Sequence, residues 1–86
     1  MADTLGLLEE CRHLAGDMGY IVREEPLGDL PGGPCMVGGR RQILLNVAQA
    51  PSDHLTILLT ALAADPGIAM RPKSRLLAER LAQVGR

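Results

Sequence analysis

Gly32-Gly33-Pro34-Cys35-Met36-Val37-Gly38-Gly39-Arg40-Arg41-Gln42-Ile43-Leu44-Leu45-Asn46-Val47 is the stretch whose reading decides the fold. Gly38-Gly39 stands between two runs of strand-forming residues. A two-residue hairpin turn of the primed type needs positive φ, which glycine adopts without a Cβ penalty. A β-hairpin closed there pairs Val37 with Arg40, Met36 with Arg41 and Cys35 with Gln42. The second arm, Ile43 to Val47, is apolar at consecutive positions. That loss of alternation predicts a strand covered on both faces or placed centrally. Pro34 has no N–H for a ladder, so the first arm is expected to begin at about that residue.

Working outward, Asp3 or Thr4 can cap a first helix running to about Met18. Leu7, Leu8, Cys11, Leu14, Ala15 and Met18 recur at three- and four-residue spacing and form one apolar stripe. Gly19 suits the residue that ends it. Tyr20-Ile21-Val22-Arg23 reads as a short strand, and Glu24 to Pro34, rich in Pro and Gly, as a loop. Beyond the hairpin, Pro51-Ser52-Asp53 marks a second helix with Ser52 as its cap. Leu55, Leu58, Leu59 and Leu62 are its buried stripe, and Asp65-Pro66-Gly67 stops it. Pro72 fits the first turn of a third helix, with Leu76, Leu77, Leu81 and Val84 on its apolar side and Gly85 at its end. The expected fold is α+β: a two-layer α-β-β-β-α-α domain spanning residues 1–86, its small three-stranded antiparallel sheet packed against helices. One sheet face, or an edge strand, is left bare for self-association or docking.

Composition narrows the chemistry. The chain has 86 residues, no Trp, no Phe and a single Tyr20, so the core is aliphatic. A chain this short buries only about 60–65% of its unfolded surface and gains from a partner. Net charge is −1, which gives no global field toward nucleic acid or membrane. Charge is segregated, however. Residues 1–30 carry seven acids against Arg12 and Arg23, whereas residues 71–86 carry Arg71, Lys73, Arg75, Arg80 and Arg86 against Glu79. These halves attract one another within the fold or between copies. The acidic start lacks a signal-peptide pattern, no run reaches the roughly 18 apolar residues of a membrane helix, and two cysteines make no disulfide framework. A cytoplasmic protein with reduced thiols is expected.

Cys11, His13, Cys35 and His54 offer zinc-ligating atoms. Yet Cys11 and His13 lie about 200° apart around a helix and cannot share an ion. Cys11 reads as a core residue, Cys35 as a packed thiol and His54 as a solvated surface histidine. A Cys35–His54 nucleophilic pair lacks a third orienting group and a helix terminus to lower the thiol pKa. Gly28 to Gly33 precedes a strand rather than a helix, so it does not cradle phosphate. Arg40, Arg41, Arg71, Lys73, Arg75 and Arg80 form the candidate interaction surface. Their cations suit phosphates, but no stacking aromatics accompany them.

From Leu14 to Ala64 the chain resembles a group of small uncharacterised bacterial proteins: Gly19-Tyr20-Ile21-Val22, then Gly32-Gly33-x-Cys35, a basic tip at Arg40-Arg41, and Ile43-Leu44-Leu45-Asn46. That resemblance implies no activity. More remotely, the helix–strand–hairpin–helix order is similar to the core of ImmA/IrrE-type zincin peptidases. Where those carry His-Glu-x-x-His, this chain reads Thr60-Ala61-Leu62-Ala63-Ala64, so no catalytic or metal residue carries over. The expectation is a non-enzymatic bacterial module without cofactor or small-molecule substrate, binding a protein partner or its own copy. The alternatives are a nucleic-acid accessory, a degenerate zincin-like protein or a Cys35-dependent enzyme.

Overall fold

In the computed structural model, which describes residues 2–84, the chain runs α1 (Ala2–Asp17), β1 (Ile21–Glu25), β2 (Gly32–Val37), β3 (Arg40–Asn46), α2 (Pro51–Ala63), a 3₁₀ turn (Pro66–Met70) and α3 (Arg75–Gln83). The hairpin register is the expected one: Val37 faces Arg40, Met36 faces Arg41 and Cys35 faces Gln42. Gly38 and Gly39 both take positive φ, 58° and 79°, as a primed turn requires.

The sheet is mixed, not antiparallel. Its order is β1-β3-β2, with β1 parallel to β3 and β2 antiparallel to it. Pro26 to Pro31 carry the chain past the end of β3, and the hairpin folds β3 back into the gap. Six residues easily span two strand spacings of about 4.8 Å. The physical reason is β3 itself, whose consecutive apolar residues need neighbours on both sides. Ile43 and Leu45 are 0% exposed. The first arm also begins at Gly32, two residues before Pro34. In a two-residue hairpin the closing pair exchanges hydrogen bonds and every second pair does so again. Pro34, opposite Ile43, falls on a non-bonded position with its nitrogen at the free edge, where proline does no harm.

Helices cover one sheet face. The face carrying Val22, Ile43 and Leu45 meets Leu7, Cys11, Leu14, Leu55, Leu58 and Leu62 in a single core. α3 joins it through buried Leu77 and half-buried Leu81 and Val84, spaced four and three residues apart. Leu76 lies off that stripe and is exposed, contrary to expectation. Two helix starts also differ. α2 begins at Pro51, and the Asp53 carboxylate accepts from the Ala50 N–H (3.2 Å), so Ser52 is not its cap. α3 begins at Arg75 rather than near Pro72. Ser74 caps it through the Leu77 N–H, while Glu10 of α1 accepts from both the Ser74 N–H (2.8 Å) and its hydroxyl (2.7 Å). The expected stop at Gly85 lies outside the described residues. Glu10 thus meets α3 through an uncharged serine, and among the described residues no salt bridge joins α1 to α3.

Candidate functional site

Among the described residues no helix lies on the other face of the sheet. Alternation along the three strands puts Ile21, Arg23 and Glu25 of β1, Arg40, Gln42, Leu44 and Asn46 of β3, and Gly33, Cys35 and Val37 of β2 on this side. Ile21 is 38% exposed and Val37 51%. The loop from Pro26 to Pro31 crosses one end of the face, held there by the Asn46 amide, which donates to the carbonyls of Gly28 and Leu30 (2.9 Å each). Between loop and strands lies an apolar recess of about 270 Å³, lined by Leu27, Leu30, Pro31, Gly33, Cys35 and Leu44. Leu30 beside it is 65% exposed. At the centre of the face Gln42 is only 6% exposed, and its buried Oε1 has no hydrogen-bond partner. Buried polar atoms without partners are uncommon in folded proteins.

The helix-side edge of the hairpin holds a polar cluster. Arg41 points toward the helices. Its guanidinium stacks 4.3 Å above the Tyr20 ring, donates to Asp65 (2.8 Å) and donates to the Met18 carbonyl. The Tyr20 hydroxyl donates to the same Asp65 oxygen (2.9 Å), and the Gly67 N–H to the other (2.8 Å). These donors, Gly67 foremost and then Tyr20, hold the Asp65 carboxyl below its ordinary pKa. Burial, followed by the Asp65 carboxylate, pushes the Tyr20 hydroxyl above its own. The cluster ties the end of α2 to the hairpin. Sequence reading missed it because Asp65 stood only as part of a helix stop. The lone aromatic, Tyr20, was the available signal.

The basic residues do not form one surface. Arg40 is exposed on the open face, while Arg41 is engaged beneath it. Arg41 shares a cavity of about 390 Å³ with exposed Arg71, between Met18 and Met70. Lys73 donates to the Arg71 carbonyl (2.7 Å) and lines a separate recess against α3. Arg75 is exposed at the start of α3 and Arg80 is half-buried beside Cys11.

Among the described residues no three of His, Cys, Asp and Glu come together as a metal-binding group. His13 is exposed, 3.7 Å from Asp17. His54 is buried rather than solvated, a correction to the sequence expectation. Its Nε2 carries a proton and donates to the Asn46 carbonyl (2.7 Å), so the helix start is sealed against the end of β3. Cys35, half-buried on the open face, therefore lies across the sheet from that side of α2. Cys11 is wholly buried, and burial pushes its thiol up to about 12. A thiol reagent at pH 8 should therefore modify Cys35 in the native protein and Cys11 only after denaturation. Equal native rates at both would contradict the packing.

Among the described residues no helix is long and apolar enough to cross a membrane. Comparison with protein-family models, with curated proteins and with solved structures finds no match to this chain.

Proposed function

We propose that the protein is a non-enzymatic association module whose open sheet face docks a second copy of the same chain. The carrying observation is that face: among the described residues no helix lies over it, and it presents exposed Ile21 and Val37 and half-buried Leu44 and Cys35 among polar neighbours, in a domain whose helices lie on the other side. A second copy suits it by shape. The face carries both a protruding apolar residue, Val37, and an apolar recess, so it holds both halves of a knob-and-hole contact.

The footprint sets the strength. Three strands about 4.8 Å apart and five to seven residues long cover roughly 300 Å². Standard interfaces bury about 800 Å² per partner, so the dimer should be weak, with a Kd on the order of 10–100 μM. Sedimentation velocity across the micromolar to millimolar range should show a concentration-dependent monomer–dimer shift. A strict monomer at 1 mM concentration (roughly ten times the upper Kd) would remove the proposal. Phosphate binding by the basic residues has less support. Arg41 is held by Asp65, and Arg40 stands on the opposite sheet face.

A further inference from the structure

We infer that the two copies stack with their strands running in opposite directions, about a two-fold axis that lies across the strands near Ile43. This rests on the reading that the open face docks a second copy.

The register divides the face into successive rows along the strands. Val37 and Arg40 lie at the hairpin end. Cys35, Gln42 and Ile21 come next, then Gly33, Leu44 and Arg23. The loop end has Glu25 beside Asn46, with Asp29 in the loop above it. A two-fold across the strands reverses this order in the partner and keeps β2 over β2. Two independent features then match. Val37, half-exposed at the hairpin end of β2, comes over the partner's recess at the loop end of β2. The recess, about 270 Å³, has room for an isopropyl group. Cys35 likewise comes over Gly33, which has no side chain to meet it.

Charge matches as well. Arg40 is exposed and has no ion-pair partner among the described residues. At the other end Arg23 and Glu25 neutralise each other through a 2.9 Å hydrogen bond, which leaves Asp29 as the uncompensated charge. Reversal therefore sets each Arg40 toward an Asp29 of the partner, and the symmetry counts that contact twice. A two-fold running along the strands does the opposite. It lays Arg40 over Arg40, and Val37 leaves β2 for the far strand, away from the recess.

The test is charge reversal read by sedimentation equilibrium, with circular dichroism to confirm folding, since Arg40 and Asp29 are both exposed. R40E and D29R should each weaken dimerisation about tenfold, and the R40E/D29R double variant should restore it. Val37→Ala should weaken it by a similar factor. A dimer whose Kd ignores both single reversals, or that tightens on R40Q, overturns the reversed stack while leaving self-docking in place. A wild-type protein that stays monomeric overturns both.

Discussion

Gly32→Ala should unfold the domain or leave it barely stable. Gly32 opens β2 opposite Leu45 with φ at +87°. A Cβ built there would sit 2.4 Å from the Leu44 carbonyl oxygen and 3.2 Å from its carbon. Both obstructing atoms are backbone of the central strand, so no side chain can swing aside. The left-handed conformation alone costs an L-residue about 1–2 kcal/mol. Relieving the overlap means pulling β2 from β3 at the point where the loop enters the sheet. Together these effects should cost about 3–5 kcal/mol, a large share of the roughly 4–13 kcal/mol that a domain of this size possesses. Thermal unfolding should show a Tm lowered by about 15 °C or more. Gly16→Ala is the matching control. It lies within α1 with open space around its Cβ position and should raise stability by about 0.5–1 kcal/mol. A Tm for Gly32→Ala within a few degrees of wild type would mean that the strand entry is not constrained as described.

The hairpin was legible in the sequence because turn chemistry is local: Gly38-Gly39 sets both the turn and the register of three pairs. The apolar stripe of α1 was legible for the same reason, since periodicity needs no knowledge of the partner. Strand order was not. Whether β1 joins the edge of β2 or of β3 depends on where a six-residue loop travels, and Pro26 to Pro31 carry no local signal of direction. The helix starts at Pro51 and Ser74 were misplaced because several residues could cap, and Glu10, distant in sequence, selects among them at Ser74. His54 looked like a surface residue because it stands four positions into a helix after a polar run. Only the approach of the β3 terminus buries it. The open face was anticipated as a bare surface. Its members were not, because they follow from the register of β1 on β3.

Asn46→Ala should be the second severe substitution, and Asn46→Asp should be worse at neutral pH. Asn46 is 2% exposed and ends the central strand beneath the loop that joins β1 to β2. Its Nδ2 donates to Gly28 and Leu30. Its Oδ1 accepts from Ala48 (3.0 Å) and, at 3.5 Å, from Leu27. Every donor and acceptor of the amide is thus used. Alanine removes all of these bonds and leaves carbonyls in a partly buried loop without partners, for a cost of about 3 kcal/mol. Aspartate keeps the shape but sets a carboxylate against the Gly28 and Leu30 carbonyls. That arrangement favours the protonated acid, so its folded pKa is raised above the unfolded value of about 3.9. Stability is then fully present below the unfolded pKa and is lost as pH rises through the folded one. Urea denaturation of Asn46→Asp should give a larger unfolding free energy at pH 4 than at pH 7, and the Asn46→Ala deficit should vary little between those values. Hydrogen exchange should show the Leu30 amide, bonded to the Leu27 carbonyl, losing protection in both variants. Wild-type protection of that amide in Asn46→Ala would show that the loop holds its course over the open face without the clamp. The recess proposed to receive Val37, which Leu27, Leu30 and Pro31 of that loop help to line, would then keep its shape without the Asn46 amide.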